Sequence, residues 1–130
     1  ATWLEDPISA LNDYADIALW DTSAVTNMSS LFEDQVEFND DVSGWSVGSV
    51  KNMSHMFSGA KRFNADLSGW DVSHVSDMSF MFQNAARFNA PIGRWIVSAV
   101  RDTERMFASA SSFDQDLRSW TLGTEGITSM

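Results

Sequence analysis

Apolar and polar positions along this chain recur every 25 residues. Trp20, Trp45, Trp70, Trp95 and Trp120 keep the spacing, and Val25, Val50, Val75 and Val100 keep it five positions later. Two phenylalanine columns follow, Phe32, Phe57, Phe82, Phe107 and Phe38, Phe63, Phe88, Phe113, with Leu31, Met56, Met81, Met106 and Val42, Leu67, Ile92, Leu117 beside them. Large apolar residues repeating at a fixed period of this length place the same point of each unit against the same point of the next.

Within one unit, Met53, Met56, Phe57, Ala60 and Phe63 fall at i, i+3, i+4, i+7 and i+10, the spacing of one helix face. Asn27, Asn52, Asp77 and Asp102 stand just before that face and suit an N-cap. Across Leu67 to Ser73, a Ser-Gly turn leads into Trp-Asp-Val, where apolar residues two apart flank a polar one, as in a short strand with one buried face. A unit of this size cannot bury enough surface alone, so stacking is required. The expected fold is α/β: a right-handed, leucine-rich-repeat-like solenoid with one short parallel strand and one short helix per turn. It would form one domain, with residues 1–19 as a helical N-terminal cap and 20–130 as repeats. Four full units begin at Trp20, Trp45, Trp70 and Trp95, and a partial fifth begins at Trp120.

The chain has 130 residues and a net charge of −10, and the charge is uneven. Residues 1–41 contain ten acids and no Lys or Arg. Nucleic acid is therefore not an expected partner, because phosphate binding needs a basic stripe. Cysteine is absent, which excludes disulfides and thiolate metal sites. No apolar run approaches the roughly 18 residues of a membrane helix, so no membrane insertion by this segment is expected. The first residues also lack the basic flank and apolar centre of a signal peptide.

The pattern F-N-x-D-[LIV]-S-x-W-D-V-S-x-V-x-x-M-S-x-M-F-x-x-A is complete at Phe63 to Ala85 and nearly so at Phe38 to Ala60. It resembles the repeat of the BspA family of leucine-rich-repeat surface proteins, which includes mycoplasma-type surface lipoproteins. The resemblance implies an extracellular or cell-surface repeat protein used in adhesion or partner binding, with no catalytic set to carry over. The fourth unit departs most, with Pro91 for Asp, Gly93-Arg94 for Ser-Gly, Ile96 for the Asp after Trp, and Thr103 for Met.

Several columns invite functional readings. The Trp column Trp20, Trp45, Trp70, Trp95 and Trp120 would be a sugar-stacking platform if exposed; the reading adopted is structural core, with Phe57, Phe63, Phe82 and Phe88. Asn39, Asn64, Asn89 and Asp114 read as a structural ladder bonding to the neighbouring turn, with a ligand role as the alternative. Glu33, Asp34, Glu37, Asp40 and Asp41 could hold calcium, or could be a solvated acidic end that discourages stacking between copies. No other cofactor is expected. His55 and His74 occupy different positions in their units and have no repeated partner, so the chain is not expected to be an enzyme.

Two functions remain. One is a non-catalytic binding module that presents Asp21, Ser46, Asp71, Ile96 and Thr121, with Thr26, Lys51, Ser76 and Arg101, to a protein or glycan at a cell surface. The other is a structural spacer or self-assembling array bridged by calcium at its acidic N-terminal third.

Overall fold

The structure, a computed structural model, describes residues 20–121. The expected N-terminal helical cap lies outside these residues. The chain winds into coils of 25 residues, 20–44, 45–69, 70–94 and 95–119, each laid on the next.

The α/β expectation is overturned, because the described residues contain no helix and no continuous strand. Where a helix was expected, over residues 52–60, the backbone runs through successive turns. Met56, Ser58 and Ala60 donate their N–H groups to the carbonyls of Met53, His55 and Phe57 at 3.2, 3.1 and 3.0 Å. The intervening N–H groups of Met53, His55, Phe57 and Gly59 instead cross to Asp77, Ser79, Met81 and Gln83 of the next coil, at 2.8–3.0 Å. An α-helix would turn every N–H back onto its own chain and leave none to join the coils.

Two left-handed residues per coil make this alternation possible. His55 (φ 57) is the third residue of the turn from Met53 to Met56, and Gly59 (φ 74) is the third of the turn from Phe57 to Ala60. Positive φ at the third position is what a type II turn demands. The same two places recur as Ser30 and Asp34, Phe80 and Asn84, and Arg105 and Ser109. Asp34, Gly59 and Asn84 tolerate this region well, whereas Phe80 (φ 59) sits there at a cost of about 1–2 kcal/mol. Its N–H bond to Glu104 at 2.8 Å and its ring, stacked on His55 at 4.6 Å, hold it there.

The expected strand at Trp-Asp-Val is also displaced. Trp70 ends a turn from Leu67 (3.1 Å) and Val72 opens one to Val75 (3.0 Å). Parallel pairing appears instead as isolated bridges linking Asn27, Asn52, Asp77 and Asp102, the residues read as N-caps. Their side-chain oxygens do accept an N–H, from Ser29, Ser54, Ser79 and Glu104 at 2.9–3.0 Å, but they open a turn and not a helix.

The centre of the stack is a double file of phenylalanines. Within a coil the two rings lie 3.9–4.1 Å apart, as in Phe57 on Phe63 and Phe82 on Phe88. Between coils, Phe32, Phe57, Phe82 and Phe107 follow at 5.6–5.8 Å, all close to parallel. Val50, Met53, Met56 and Phe57 are 0% exposed around this file, and Thr103, also 0% exposed, takes the place that Met53 and Met78 hold in earlier coils.

Candidate binding face

The segment from each Trp to the following Asn or Asp alternates between core and solvent. Val47, Val72 and Val97 are buried two positions after their tryptophans, and Val25, Val50, Val75 and Val100 are buried five after theirs. Each of these valine pairs closes a turn, for example Val75 N–H to Val72 carbonyl at 3.0 Å. The residues that flank these turns on either side point outward. Asp21, Ser46, Asp71, Ile96 and Thr121 are all exposed, as are Thr26, Lys51, Ser76 and Arg101. The second set projects from a backbone rung: Lys51, Ser76 and Arg101 donate N–H groups to Thr26, Lys51 and Ser76 at 2.8–2.9 Å. Two columns of differing side chains thus stand on one fixed frame.

Carboxylates on this surface are tied to their own backbone. Asp71 Oδ1 accepts from the Ser73 hydroxyl at 2.6 Å and the Ser73 N–H at 3.0 Å, and Asp21 is held the same way by Ser23. These bonds favour the ionised form and hold both aspartates below the usual carboxylate range, the hydroxyl bond contributing most. Asp41 is lowered by Ser43 in like manner, and Asp116 by the Arg118 side chain and then its N–H. For Asp66 the Ser68 N–H is the larger cause, with the Asp41 carboxylate pushing weakly the other way. The sequence carries this signal as Asp-x-Ser, at 21–23, 41–43, 66–68, 71–73 and 77–79, the spacing at which an aspartate can lock a turn.

The five acids weighed as calcium ligands go separate ways. Glu33 lies 3.5 Å from His55 Nδ1, without hydrogen-bonding that buried nitrogen. Glu37 pairs with Arg62, Asp41 caps Ser43, and Asp34 and Asp40 are exposed. Among the described residues no three His, Asp or Glu side chains converge on a point that could hold a metal ion.

Trp45, Trp70 and Trp95 are 3–4% exposed, while Trp20 and Trp120 are half-buried. The indole N–H groups of Trp70, Trp95 and Trp120 reach back to the carbonyls of Val42, Leu67 and Ile92 at 2.9–3.0 Å. Asn64, Asn89 and Asp114 each donate N–H to the side-chain oxygen of Asn39, Asn64 and Asn89 at 2.8 Å, forming an outward-facing ladder. Phe57, Phe63, Phe82 and Phe88 are all 0% exposed.

Asp71, Ser73 and His74 bring together the three residue types of a hydrolytic triad. The Ser73 hydroxyl donates to Asp71 and lies 3.5 Å from His74 Nδ1. A hydroxyl whose proton is directed at a carboxylate is not the imidazole-activated nucleophile such chemistry needs.

Among the described residues no helix is long and apolar enough to cross a membrane. No curated protein and no solved structure matches the chain. A family model does match, over residues 5–121, nearly the whole length. The chain belongs to that family, DUF285, described as a Mycoplasma protein of unknown function.

Proposed function

We propose that the chain is a non-catalytic repeat module of BspA type that works at a cell surface, binding a protein or glycan through the face after each Trp. The observation that carries this reading is the contrast between frame and face. Core positions hold Val, Met and Phe coil after coil, while the outward columns run Asp, Ser, Asp, Ile, Thr and Thr, Lys, Ser, Arg. An extended surface with a fixed backbone and differing side chains is how repeat proteins present a binding site. A calcium-bridged array is less well supported, since the acids proposed for it are dispersed among His55, Arg62 and Ser43.

The test is a binding screen of the intact chain on glycan and extracellular-protein arrays, repeated with two multiple variants. One carries Lys51→Ser, Asp71→Ser, Ile96→Ser and Arg101→Ser on the face; the other carries Glu37→Ser, Arg62→Ser and Arg87→Ser on exposed positions elsewhere. Binding should vanish with the first and persist with the second. Loss with the second alone, or equal binding by both, would place the active surface elsewhere.

A further inference from the structure

The periodic surface is broken at one place, and the break has the chemistry of a ligand site. Pro91 stands where other coils have Asp41, Asp66 and Asp116; Arg94 stands where they have Gly44, Gly69 and Ser119. Two adjoining hollows of about 340 and 380 Å³ lie on either side of Gly93 and Arg94. Ile96, Ser98 and Thr121 line the first, and Ser68, Pro91, Gln115 and the carboxylate-bearing Asp116 the second. Gly93 lets the next coil approach closely beside these hollows, because a Cβ there would collide with the Asp116 carbonyl oxygen.

Arg94 is exposed and makes no ion pair or hydrogen bond among the described residues. Neither of the two nearby aspartate positions supplies it a partner. Pro91 replaces the aspartate of its own coil, and Asp116 of the next is clasped by Arg118 at 2.8–3.1 Å. Two residues on, past the buried Trp95, Ile96 is 65% exposed. A bare guanidinium and a bare aliphatic side chain therefore share one side of the chain, spaced like alternate side chains of an extended peptide. A sugar would be expected to use an aromatic platform, but Trp95 is only 4% exposed.

We propose that this notch is where the face takes its partner, an extended acidic peptide that sets a carboxylate on Arg94 and an aliphatic side chain against Ile96. The proposal rests on the binding-module reading and narrows it. The probe is a capped fluorescent peptide, Ser-Glu-Ser-Leu-Ser, titrated into the full chain by anisotropy, with amide shifts followed by NMR.

Shifts should centre on Gly93 to Ser98. Arg94→Gln should weaken binding about tenfold, the worth of one charge-assisted contact. Replacing the peptide Glu by Gln should weaken it as much, and the two changes together should add little more. Ile96→Ser should weaken it independently, and both side chains are exposed enough that the variants keep their circular dichroism. An unchanged Kd for Arg94→Gln, or silence at Gly93 to Ser98, overturns the notch. Glucuronic acid shifting those amides where the peptide does not also overturns it. Peptide binding that survives Arg94→Gln and shifts other exposed columns would overturn the notch but leave the binding face standing, whereas only the array screen with its two multiple variants can remove the face.

Discussion

Arg105 offers a substitution whose sign depends on the backbone. It is exposed, lies in the segment where the periodicity calls for a helix, and has φ 51. In a helix interior, alanine is more stable than glycine by about 0.8–1 kcal/mol. In the left-handed region the order reverses. An L-residue costs about 1–2 kcal/mol there, glycine avoids that, and the greater freedom of glycine in the unfolded chain returns roughly 0.4–1 kcal/mol of the gain. Arg105→Gly should therefore be more stable than Arg105→Ala by about 0.5–1 kcal/mol, where a helix would give the opposite by a similar amount. For a chain of this size the difference is about 2–5 °C in melting temperature. Differential scanning calorimetry on the two variants, with urea midpoints as a second measure, resolves it. Comparing alanine with glycine cancels the loss of the arginine side chain, common to both. Ser109 (φ 58), also exposed, repeats the test independently. If alanine is the more stable residue at both positions, the turn architecture described above is wrong.

Trp70→Ala should cost about 3–5 kcal/mol through the cavity it opens, and Trp70→Phe distinctly less, mainly by leaving the Val42 carbonyl without its indole N–H; chemical denaturation separates the two. Gly59→Ala should cost about 1–3 kcal/mol, because its φ is 74 and a Cβ there would press on Asp34; an unchanged urea midpoint would contradict the close approach of the coils. Because Asp21, Asp41, Asp66, Asp71 and Asp116 are lowered from 3.8, their contribution is complete above that pH and is lost as pH falls through the depressed values, so melting temperature should drop below about pH 4. Asp41→Asn with Asp66→Asn should keep the turns, as Asn27 and Asn52 do, and flatten that drop, whereas Asp66→Ala should lower the melting temperature at neutral pH as well.

The rhythm of burial was readable from the sequence, since Val50, Met53 and Met56 recur in step with their counterparts and all are 0% exposed. The backbone that delivers this rhythm was not. Successive turns closing every three residues put Met53, Met56, Phe57 and Ala60 on one side just as a helix does, so apolar spacing alone does not separate the two. The distinguishing residues were Asp34, Gly59 and Asn84, three types that accept positive φ, recurring in one column in the middle of the supposed helix. Phe80 and Arg105 hid the companion column, because nothing about a phenylalanine or an arginine announces a left-handed residue. At the face, the aspartates were visible as charges, but their service as turn locks depended on the serine two places on. The notch was visible only as a list of departures in the fourth unit; that Arg118 takes Asp116 and so leaves Arg94 bare required coordinates.

The alternating N–H groups bear on how the chain could lengthen. Met53 gives its hydrogen bond forward to Asp77, while Asn52 accepts one from Met28 behind it, and every interior coil repeats this two-sided exchange. A coil is thus both plug and socket, and one 25-residue block is interchangeable with another at the level of the backbone. Duplicating residues 45–69 in place should insert a further storey without disturbing those above and below, while moving the Arg94 notch away from the acidic first coil. Reach can then change by gene duplication alone, in whole steps, independently of the chemistry displayed on the face.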